Sequence, residues 1–230
     1  MATKSQQEKF LNTMIPIARR QALKHGNKIY PSVCLAQACH ESGWGTSAKM
    51  IKANAVFGVK VGKSAYKFGT AWKGKAYKTG TTEYYDGKTA TKIVDWFRAY
   101  DSLEDSTEDY MDLLCTASRY KGALNQNSPK KCIEGIVNGG YATGPEYVQH
   151  IMKTINSHNL TRFDKPLEYY SKYKGDSESI VIGLENIGVD ASFRHREQIF
   201  NANFDGEYKG TEKQNLEMIR RLKAGELMKD

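Results

Sequence analysis

The stretch Gln37-Ala38-Cys39-His40-Glu41-Ser42-Gly43-Trp44-Gly45 brings one carboxylate to the point where an apolar run ends in glycines. Upstream, Pro31 suits the first turn of a helix, where its missing N–H is not needed. Apolar residues follow at helical spacing, and Gly43 can supply the left-handed conformation that ends a helix. The sequence therefore predicts a largely buried helix over residues 31–42, with Glu41 in its last turn.

Glu41 is a candidate acid because its predicted position disfavours the ionised form. The C-terminal end of a helix carries partial negative charge and Trp44 is apolar, so both features raise the pKa of the Glu41 carboxyl. A carboxylic acid that keeps its proton near neutral pH can protonate the oxygen of a glycosidic bond. A lone Glu at a helix end is more often a solvated surface residue, so this assignment depends on the other motifs.

Four further motifs follow this stretch in order. They are Asn54-Ala55-Val56-Phe57-Gly58-Val59-Lys60, Thr82-Glu83-Tyr84, Trp96-Phe97-Arg98-Ala99-Tyr100-Asp101-Ser102 and Gly140-Tyr141-Ala142-Thr143-Gly144-Pro145-Glu146-Tyr147. With these motifs, residues 5–163 resemble the glucosaminidases of glycoside hydrolase family 73, which are bacterial and phage peptidoglycan hydrolases with a lysozyme-like fold. Gly144 departs from the family pattern, in which many members carry Asp, and we expect it to alter a local turn rather than the chemistry.

The pattern predicts an α+β fold, namely a mainly helical lysozyme-like catalytic domain with a small β-hairpin lobe, followed by a small, mostly helical C-terminal module. The Asp86-Gly87 pair between alternating residues is typical of a tight hairpin turn. Pro16 lies inside an apolar helical pattern, so a helix kinks or begins there. Further helical segments are predicted at 5–25, 47–53, 102–117, 129–138 and 145–158.

The chain divides by composition into three parts. Residues 1–163 form the predicted glucosaminidase-like catalytic domain, the Tyr-rich polar stretch 164–178 reads as a linker, and 179–230 form a small module. The module weakly resembles the repeats at the tails of phage lysins, which bind cell-wall polymers. A wall-binding module, a dimerisation element that would make the protein a homo-oligomer, and a structural cap on the catalytic domain remain open.

Two more residues have catalytic roles by this reasoning. Glu83 on the hairpin would face Glu41 across a groove as the base or water-orienting carboxylate, and a separation of roughly 6.5–9.5 Å would predict inversion. The alternative is an exposed strand Glu paired with Lys88 or Lys92. Tyr141 lies in the motif that places a tyrosine near the acid in similar enzymes, where its phenol could orient a water or the substrate's N-acetyl group. If the N-acetyl group attacks, the mechanism is substrate-assisted and Glu83 matters less.

Aromatic rings in or near the motifs are candidates for packing against sugar rings. Trp44, Trp72 and Tyr100 are predicted to bind substrate, and Phe57 and Trp96 are predicted to be core residues because their neighbours are apolar. Asn54 either binds substrate or braces the loop after the acid helix.

The charge distribution favours an anionic partner. The net charge is +8, and residues 1–178 hold 26 Lys/Arg against 17 Asp/Glu, whereas residues 179–230 hold 8 against 9. The positive electrostatic field of residues 1–178 would attract the peptide-stem carboxylates of bacterial peptidoglycan and anionic wall polymers. A nucleic-acid partner is not expected, because no nucleic-acid-binding motif accompanies the lysines. No apolar run is long enough for membrane insertion, and a solvated basic face that aids solubility is the simplest alternative.

The cysteines and histidines predict neither a metal site nor a cofactor. The four cysteines have no metal-ligand spacing and are predicted to be free thiols, with a Cys115–Cys132 bridge as the alternative. The N-terminus lacks the apolar segment of a signal peptide. We therefore expect a protein made in the host cytoplasm without a signal peptide, which acts on the wall after release, as an endolysin, or as a virion component.

The predicted function is cleavage of the β-1,4 bond on the reducing side of N-acetylglucosamine in bacterial cell-wall glycan, with Glu41 as general acid. A muramidase or a lytic transglycosylase of the same fold is the alternative, because these activities share a helix-borne Glu in a similar groove. The rival outside catalysis is a wall-binding protein that has lost turnover.

Overall fold

The computed structural model describes the backbone of residues 2–63, 65–83, 91–142 and 144–230, and the side chains of 81–83 and 91–92 lie outside that description. The chain forms two compact units, Met1–Asp164 and Lys165–Asp230. The described part is mostly helical with one small antiparallel sheet, which confirms the predicted fold class.

The described residues of the first unit form six α-helices, two strands and two short 3₁₀ helices. They are α1 Lys4–Lys24, α2 Pro31–Ser42, α3 Ala48–Ala53, β1 Ala76–Glu83, β2 Thr91–Arg98, α4 Leu103–Thr116, the 3₁₀ helix Ser118–Ala123, α5 Pro129–Asn138, α6 Tyr147–Ser157 and the 3₁₀ helix Leu160–Asp164. The second unit contains α7 Ile180–Asn186, α8 Phe193–Asn203 and α9 Glu212–Ala224. The predicted bounds of α2 and α5 are confirmed, whereas α6 begins at Tyr147, two residues after Pro145.

Helix α2 lies at the centre of the first unit. Nearly all its side chains are buried, and it packs against α1, α6 and the 3₁₀ helix Leu160–Asp164. A helix that is apolar on every side is stable only when other elements surround it. Helix α1 runs through Pro16 and begins at Lys4, where Thr3 and Gln6 form a capping box.

The two strands pair over their whole length, from Ala76 opposite Arg98 to Glu83 opposite Thr91. The predicted turn at Asp86-Gly87 lies outside the described residues. Neighbouring strand residues point to opposite faces, so the side chain of Phe97 is buried whereas that of Trp96 is 50% exposed. The prediction that Trp96 is a core residue is therefore wrong.

Arg98, at the end of β2, holds the irregular segment between α3 and β1 against α4. Its buried guanidinium donates to both carboxylate oxygens of Asp109, at 3.0 and 3.2 Å. It lies 4.3 Å from the ring centroid of Phe68 and 4.2 Å from that of Trp72, and it donates to the carbonyl of Tyr66. An arginine is suited to this position because its planar group can stack and form paired hydrogen bonds at once.

The second unit has its own apolar core, built from α7, α8, α9 and the segment that precedes them. The structure differs here from the prediction of a linker at 164–178. Tyr173 is buried in this core, and the N–H of Tyr170 donates to the carbonyl of Leu227 at 2.9 Å. Because Tyr173 fills space beside Gly183 of α7, most of the predicted linker belongs to the second unit.

The four cysteines, all within the described part of the chain, are thiols that form no disulfide, as predicted. Cys34, Cys39 and Cys132 are buried and Cys115 is half-buried. In the part of the chain that the structure describes, we find no helix with the length and apolar character needed to cross a bilayer.

Candidate active site

The end of α2 fixes the position of Glu41. Gly43 adopts the left-handed conformation at φ 58°, and the Ser42 hydroxyl accepts a hydrogen bond from the N–H of Gly45 at 2.8 Å. Gly45 has φ 77°, and a Cβ there would lie 2.6 Å from a ring carbon of Phe10. Only glycine fits this contact, so the turn after Glu41 packs directly on α1.

Glu41 lines a cleft of about 710 Å³ in the first unit. The other walls come from residues 57–62, from Phe97 on β2, from Arg119 and Tyr120, and from residues 140–142. Three of the four further motifs, those at 54–60, 96–102 and 140–147, therefore contribute to one concave surface with Glu41, which is the usual form of a small-molecule site.

The Glu41 carboxyl is held by a tyrosine. The Tyr147 hydroxyl donates to Glu41 Oε1 at 2.7 Å. Burial raises the pKa of the Glu41 carboxyl, and this hydrogen bond, together with the charges of His40 and Lys49, opposes the rise. The pKa is raised, as the sequence predicts, but the largest cause is burial in the cleft wall. Trp44 is not that wall, because its ring packs on His158 with centroids 4.9 Å apart.

Tyr147 is the residue that sequence reasoning missed. Tyr147 belongs to the last motif, but the family resemblance assigns a role to Tyr141, six residues earlier, and none to Tyr147. A signal was present: Tyr147, Ile151 and Ile155 recur every four residues and form the buried face of α6. Because α6 packs on α2, the first residue of that face lies beside the last turn of the acid helix.

Tyr141 lines the same cleft but is bonded elsewhere. Its hydroxyl donates to the carbonyl of Phe57 at 2.9 Å, and its ring centroid lies 6.4 Å from that of Tyr147. Burial raises the pKa of the Tyr141 phenol well above its usual value, so the phenol stays neutral. Because the Tyr141 hydroxyl hydrogen is used in the bond to the Phe57 carbonyl, the Tyr141 oxygen can accept a hydrogen bond from a bound molecule.

The four predicted substrate-binding residues do not line the cleft. Trp72 and Tyr100 are buried, and Tyr100 donates to Asp109 at 2.8 Å. The prediction that these two bind substrate is wrong, because the Trp72 ring stacks on Arg98 and Tyr100 binds the carboxylate that pairs with Arg98. Asn54 braces its loop by donating to the Tyr100 carbonyl at 3.1 Å, and Trp44 packs on His158 instead of entering the cleft. Phe57 is buried, which confirms its predicted place in the core.

Glu83 has a described backbone at the last position of β1, opposite Thr91. Its side chain lies outside the described residues. The role of Glu83 and its distance from Glu41 stay predictions.

The described cleft lining is electropositive apart from Glu41. It includes Lys49, Lys60 and Arg119, and Glu41 is the one carboxylate among the described lining residues. Within those parts of the chain whose placement is described, no group of three or more His, Cys, Asp or Glu side chains could hold a metal ion.

The geometry suits delivery of a proton to a molecule in the cleft. Tyr147 binds Oε1, and no hydrogen bond to Oε2 is found among the described residues. A carboxylic acid with one oxygen fixed and the other available can protonate a leaving oxygen at a defined place.

Comparison with known proteins agrees with this geometry. The chain is 35% identical over 152 residues to the peptidoglycan hydrolase FlgJ of Vibrio parahaemolyticus, covering 64% of this chain and 46% of that protein. It is 31% identical over 150 residues to the exo-glucosaminidase LytG of Bacillus subtilis, covering 63% and 50%. The chain thus spans about half the length of these two relatives.

Solved structures give the same result. The catalytic domain of the autolysin Auto from Listeria monocytogenes superposes with a TM-score of 0.57 at 31% identity, over 71% of this chain and 90% of that domain. The model of the glucosaminidase family, described as mannosyl-glycoprotein endo-beta-N-acetylglucosaminidase, matches residues 16–160. That match contains Glu41, Tyr147 and the whole described cleft, and the chain therefore belongs to the glucosaminidase family.

Proposed function

We propose that the first unit hydrolyses bacterial peptidoglycan at the β-1,4 bond on the reducing side of N-acetylglucosamine, with Glu41 as general acid. The observation that carries this proposal is the half-buried Glu41 carboxyl, with its raised pKa, in the wall of a cleft within a glucosaminidase-family domain. The names of the relatives, peptidoglycan hydrolase and exo-glucosaminidase, support the substrate and the bond.

In this proposal Tyr141 and Glu83 serve the attack on the sugar. The Tyr141 hydroxyl donates to the Phe57 carbonyl, so its oxygen accepts a hydrogen bond from a water or from the N-acetyl N–H. Glu83 acts as base in an inverting reaction and is dispensable if the N-acetyl oxygen attacks. Glu83→Gln separates the two: a loss of kcat of about 100-fold or more supports the base, and an unchanged kcat supports substrate assistance.

The cations of the cleft favour peptidoglycan over a neutral glycan. Lys49, Lys60 and Arg119 line the cleft with Glu41 as the one described carboxylate. Lys60 already pairs with Asp95 at 3.0 Å. A neutral oligosaccharide has no charged group for Arg119, whereas the peptide stems of peptidoglycan carry carboxylates. We propose that Arg119 contacts such a carboxylate. Arg119→Gln should then raise KM for stem-bearing glycan several-fold and leave KM for glycan stripped of its peptides unchanged.

The decisive experiment is digestion of purified peptidoglycan by the wild-type protein and by Glu41→Gln. The products are reduced with borohydride and their new ends are identified by mass spectrometry. Reduced glucosamine ends from the wild type alone support the proposal, and fragment length separates internal cleavage from release at chain ends. Reduced muramic acid would indicate a muramidase, and anhydromuramic ends a lytic transglycosylase. Absence of new ends would indicate a binding protein without turnover.

For the second unit we propose binding to cell-wall polymer. Residues 165–230 have a core of their own, and Phe193 and Leu216 leave large apolar side chains exposed, at 51% and 41%. A chain ending at residue 164 should lose retention on purified walls but keep its activity on soluble fragments. Unchanged retention would contradict wall binding, and a change in sedimentation without a change in retention would indicate dimerisation instead.

A further inference from the structure

A line of three hydrogen bonds leads from the protein interior to the Glu41 carboxyl. The Tyr110 hydroxyl donates to Gln37 Oε1. The Gln37 amide donates from Nε2 to the Tyr147 oxygen at 3.0 Å, and Tyr147 donates to Glu41 Oε1 at 2.7 Å. Tyr110 and Gln37 are fully buried and Tyr147 is 7% exposed, so solvent does not compete for these bonds.

The direction of this line is fixed by the amide of Gln37. An amide oxygen only accepts and an amide nitrogen only donates. Because the Tyr110 hydroxyl donates a hydrogen bond to Gln37 Oε1, Gln37 Nε2 faces Tyr147 and donates a hydrogen bond to the phenol oxygen. The Tyr147 hydroxyl must then donate its own hydrogen bond to Glu41. Tyr110 is itself held in place by Phe57, on which it stacks with ring centroids 3.9 Å apart.

We infer that Tyr110, Gln37 and Tyr147 are positioning residues that keep the Glu41 proton on Oε2, the oxygen for which no hydrogen bond is found among the described residues, and so present that proton to the cleft. Oε1 receives the Tyr147 proton and so cannot carry the acid proton toward Tyr147. The Oε2 proton passes to the glycosidic oxygen as the bond between the anomeric carbon and that oxygen breaks, and the bond's electron pair goes to the oxygen. The anomeric carbon gains its new bond from the attacking water or N-acetyl oxygen. The carboxylate left behind keeps the Tyr147 hydrogen bond. This inference rests on the proposed function of the cleft.

Gln37→Glu tests the direction with almost no change of shape. An ionised Glu at 37 accepts from both Tyr110 and Tyr147, so the Tyr147 proton turns away from Glu41. The acid proton of Glu41 then moves to Oε1, toward the Tyr147 oxygen. We expect the kcat plateau on soluble peptidoglycan fragments to fall roughly 10- to 100-fold with KM little changed. The added charge also raises the pKa of Glu41 through space, so the plateau, not the alkaline limb of the pH profile, decides.

Tyr147→Phe supplies the second arm. It removes a hydrogen bond that favours the carboxylate, so the alkaline limb should move to higher pH and kcat should fall. If Gln37 acts through Tyr147, adding Gln37→Glu to Tyr147→Phe leaves the kcat plateau where Tyr147→Phe put it. A further fall in the double variant equal to that of Gln37→Glu alone would overturn the inference.

A neutral variant covers the case in which Gln37→Glu does not fold. Tyr110→Phe frees the amide to turn over, so kcat should fall by less than in Tyr147→Phe, and the fall should vanish in the Tyr147→Phe background. Tyr30→Phe is the matched control, since Tyr30 donates to the Gln126 carbonyl at the other end of α2. An equal loss in Tyr110→Phe and Tyr30→Phe would show a purely structural effect.

A readout without turnover separates this inference from the proposed function. The Glu41 carboxyl carbon, labelled with ¹³C, is titrated by NMR in the wild type, Tyr147→Phe and Gln37→Glu. A higher pKa in Tyr147→Phe supports the hydrogen bond even if no glycan is cleaved. An unchanged pKa there would refute the arrangement even if the wild type is active.

Discussion

At the scale of single residues, the position of Glu41 could be predicted and the surroundings of the aromatic residues could not. Glu41 is marked by its neighbours, because an apolar helical run that meets Gly43 and Gly45 is expected to end there. Trp72 and Tyr100 carry no such mark, since a ring that stacks on a sugar and a ring that stacks on a guanidinium look alike in a sequence. Their partner Arg98 is distant along the chain from Trp72 and meets it only in the folded unit.

Replacement of Trp72 by Ala distinguishes the two roles. Its ring is buried and its indole N–H donates to the Lys75 carbonyl at 2.7 Å, so the loss should cost about 3–5 kcal/mol of unfolding free energy. Urea denaturation measures this cost, and a rise in KM at unchanged stability would restore the sugar-binding role. Trp96→Ala is the control, because that exposed ring should cost less than about 1 kcal/mol.

At the scale of elements, helices with marked ends could be predicted to the residue. Pro31 and Gly43 delimit α2, and Ser128 with Pro129 begins α5. The sequence does not show which side chain accepts the hydrogen bonds of the first turn of α2. Asp164 accepts from both the N–H and the hydroxyl of Ser32, each at 2.7 Å, across 132 positions of chain. A cap supplied from so far away has no local pattern.

Asp164 should make stability depend on pH. Burial raises the pKa of its carboxyl to about 6 from 3.8, so the folded state holds the proton more tightly than the unfolded state. The resulting stabilisation is complete below pH 3.8 and is lost as pH rises through about 6. It amounts to at most about 3 kcal/mol.

The measurement for Asp164 is urea unfolding at several values between pH 3.5 and pH 7, for the wild type and Asp164→Asn. The difference between the two curves isolates this carboxyl from Glu41, whose pKa is also raised. The wild type should lose stability relative to Asp164→Asn as pH rises. Parallel curves would mean that Asp164 titrates normally.

At the scale of the whole molecule, composition predicts that the chain divides near residue 164, but it wrongly predicts a linker for the segment 164–178. The polarity of residues 164–178 suggested a linker, but Tyr173 enters the core of the second unit. Three aromatic residues in a polar stretch are compatible with either outcome, and only the packing of Tyr173 against the core around Gly183 distinguishes them. The excess of positive charge lies in residues 1–178, which contain the cleft.

That excess predicts salt-sensitive action on walls. Raising NaCl from about 0.05 to about 0.5 M shortens the screening length several-fold and should lower kcat/KM on intact walls at least about fivefold. The control is wall material stripped of anionic polymer and stem peptides, on which the decline should be small. An equal decline on both materials would point to a general effect of salt on the protein instead of attraction to the wall.

The buried thiols of the first unit can report how often its packing opens locally. Cys34 and Cys39 lie on the helix that bears Glu41, and Cys132 lies on α5; burial raises the thiol pKa of Cys34 and Cys132. A small alkylating reagent can reach these sulfurs only while the packing opens. The rate at which Cys39 is modified, compared with that of Cys132, therefore reports how often the acid-bearing helix separates from its neighbours, without any engineered residue.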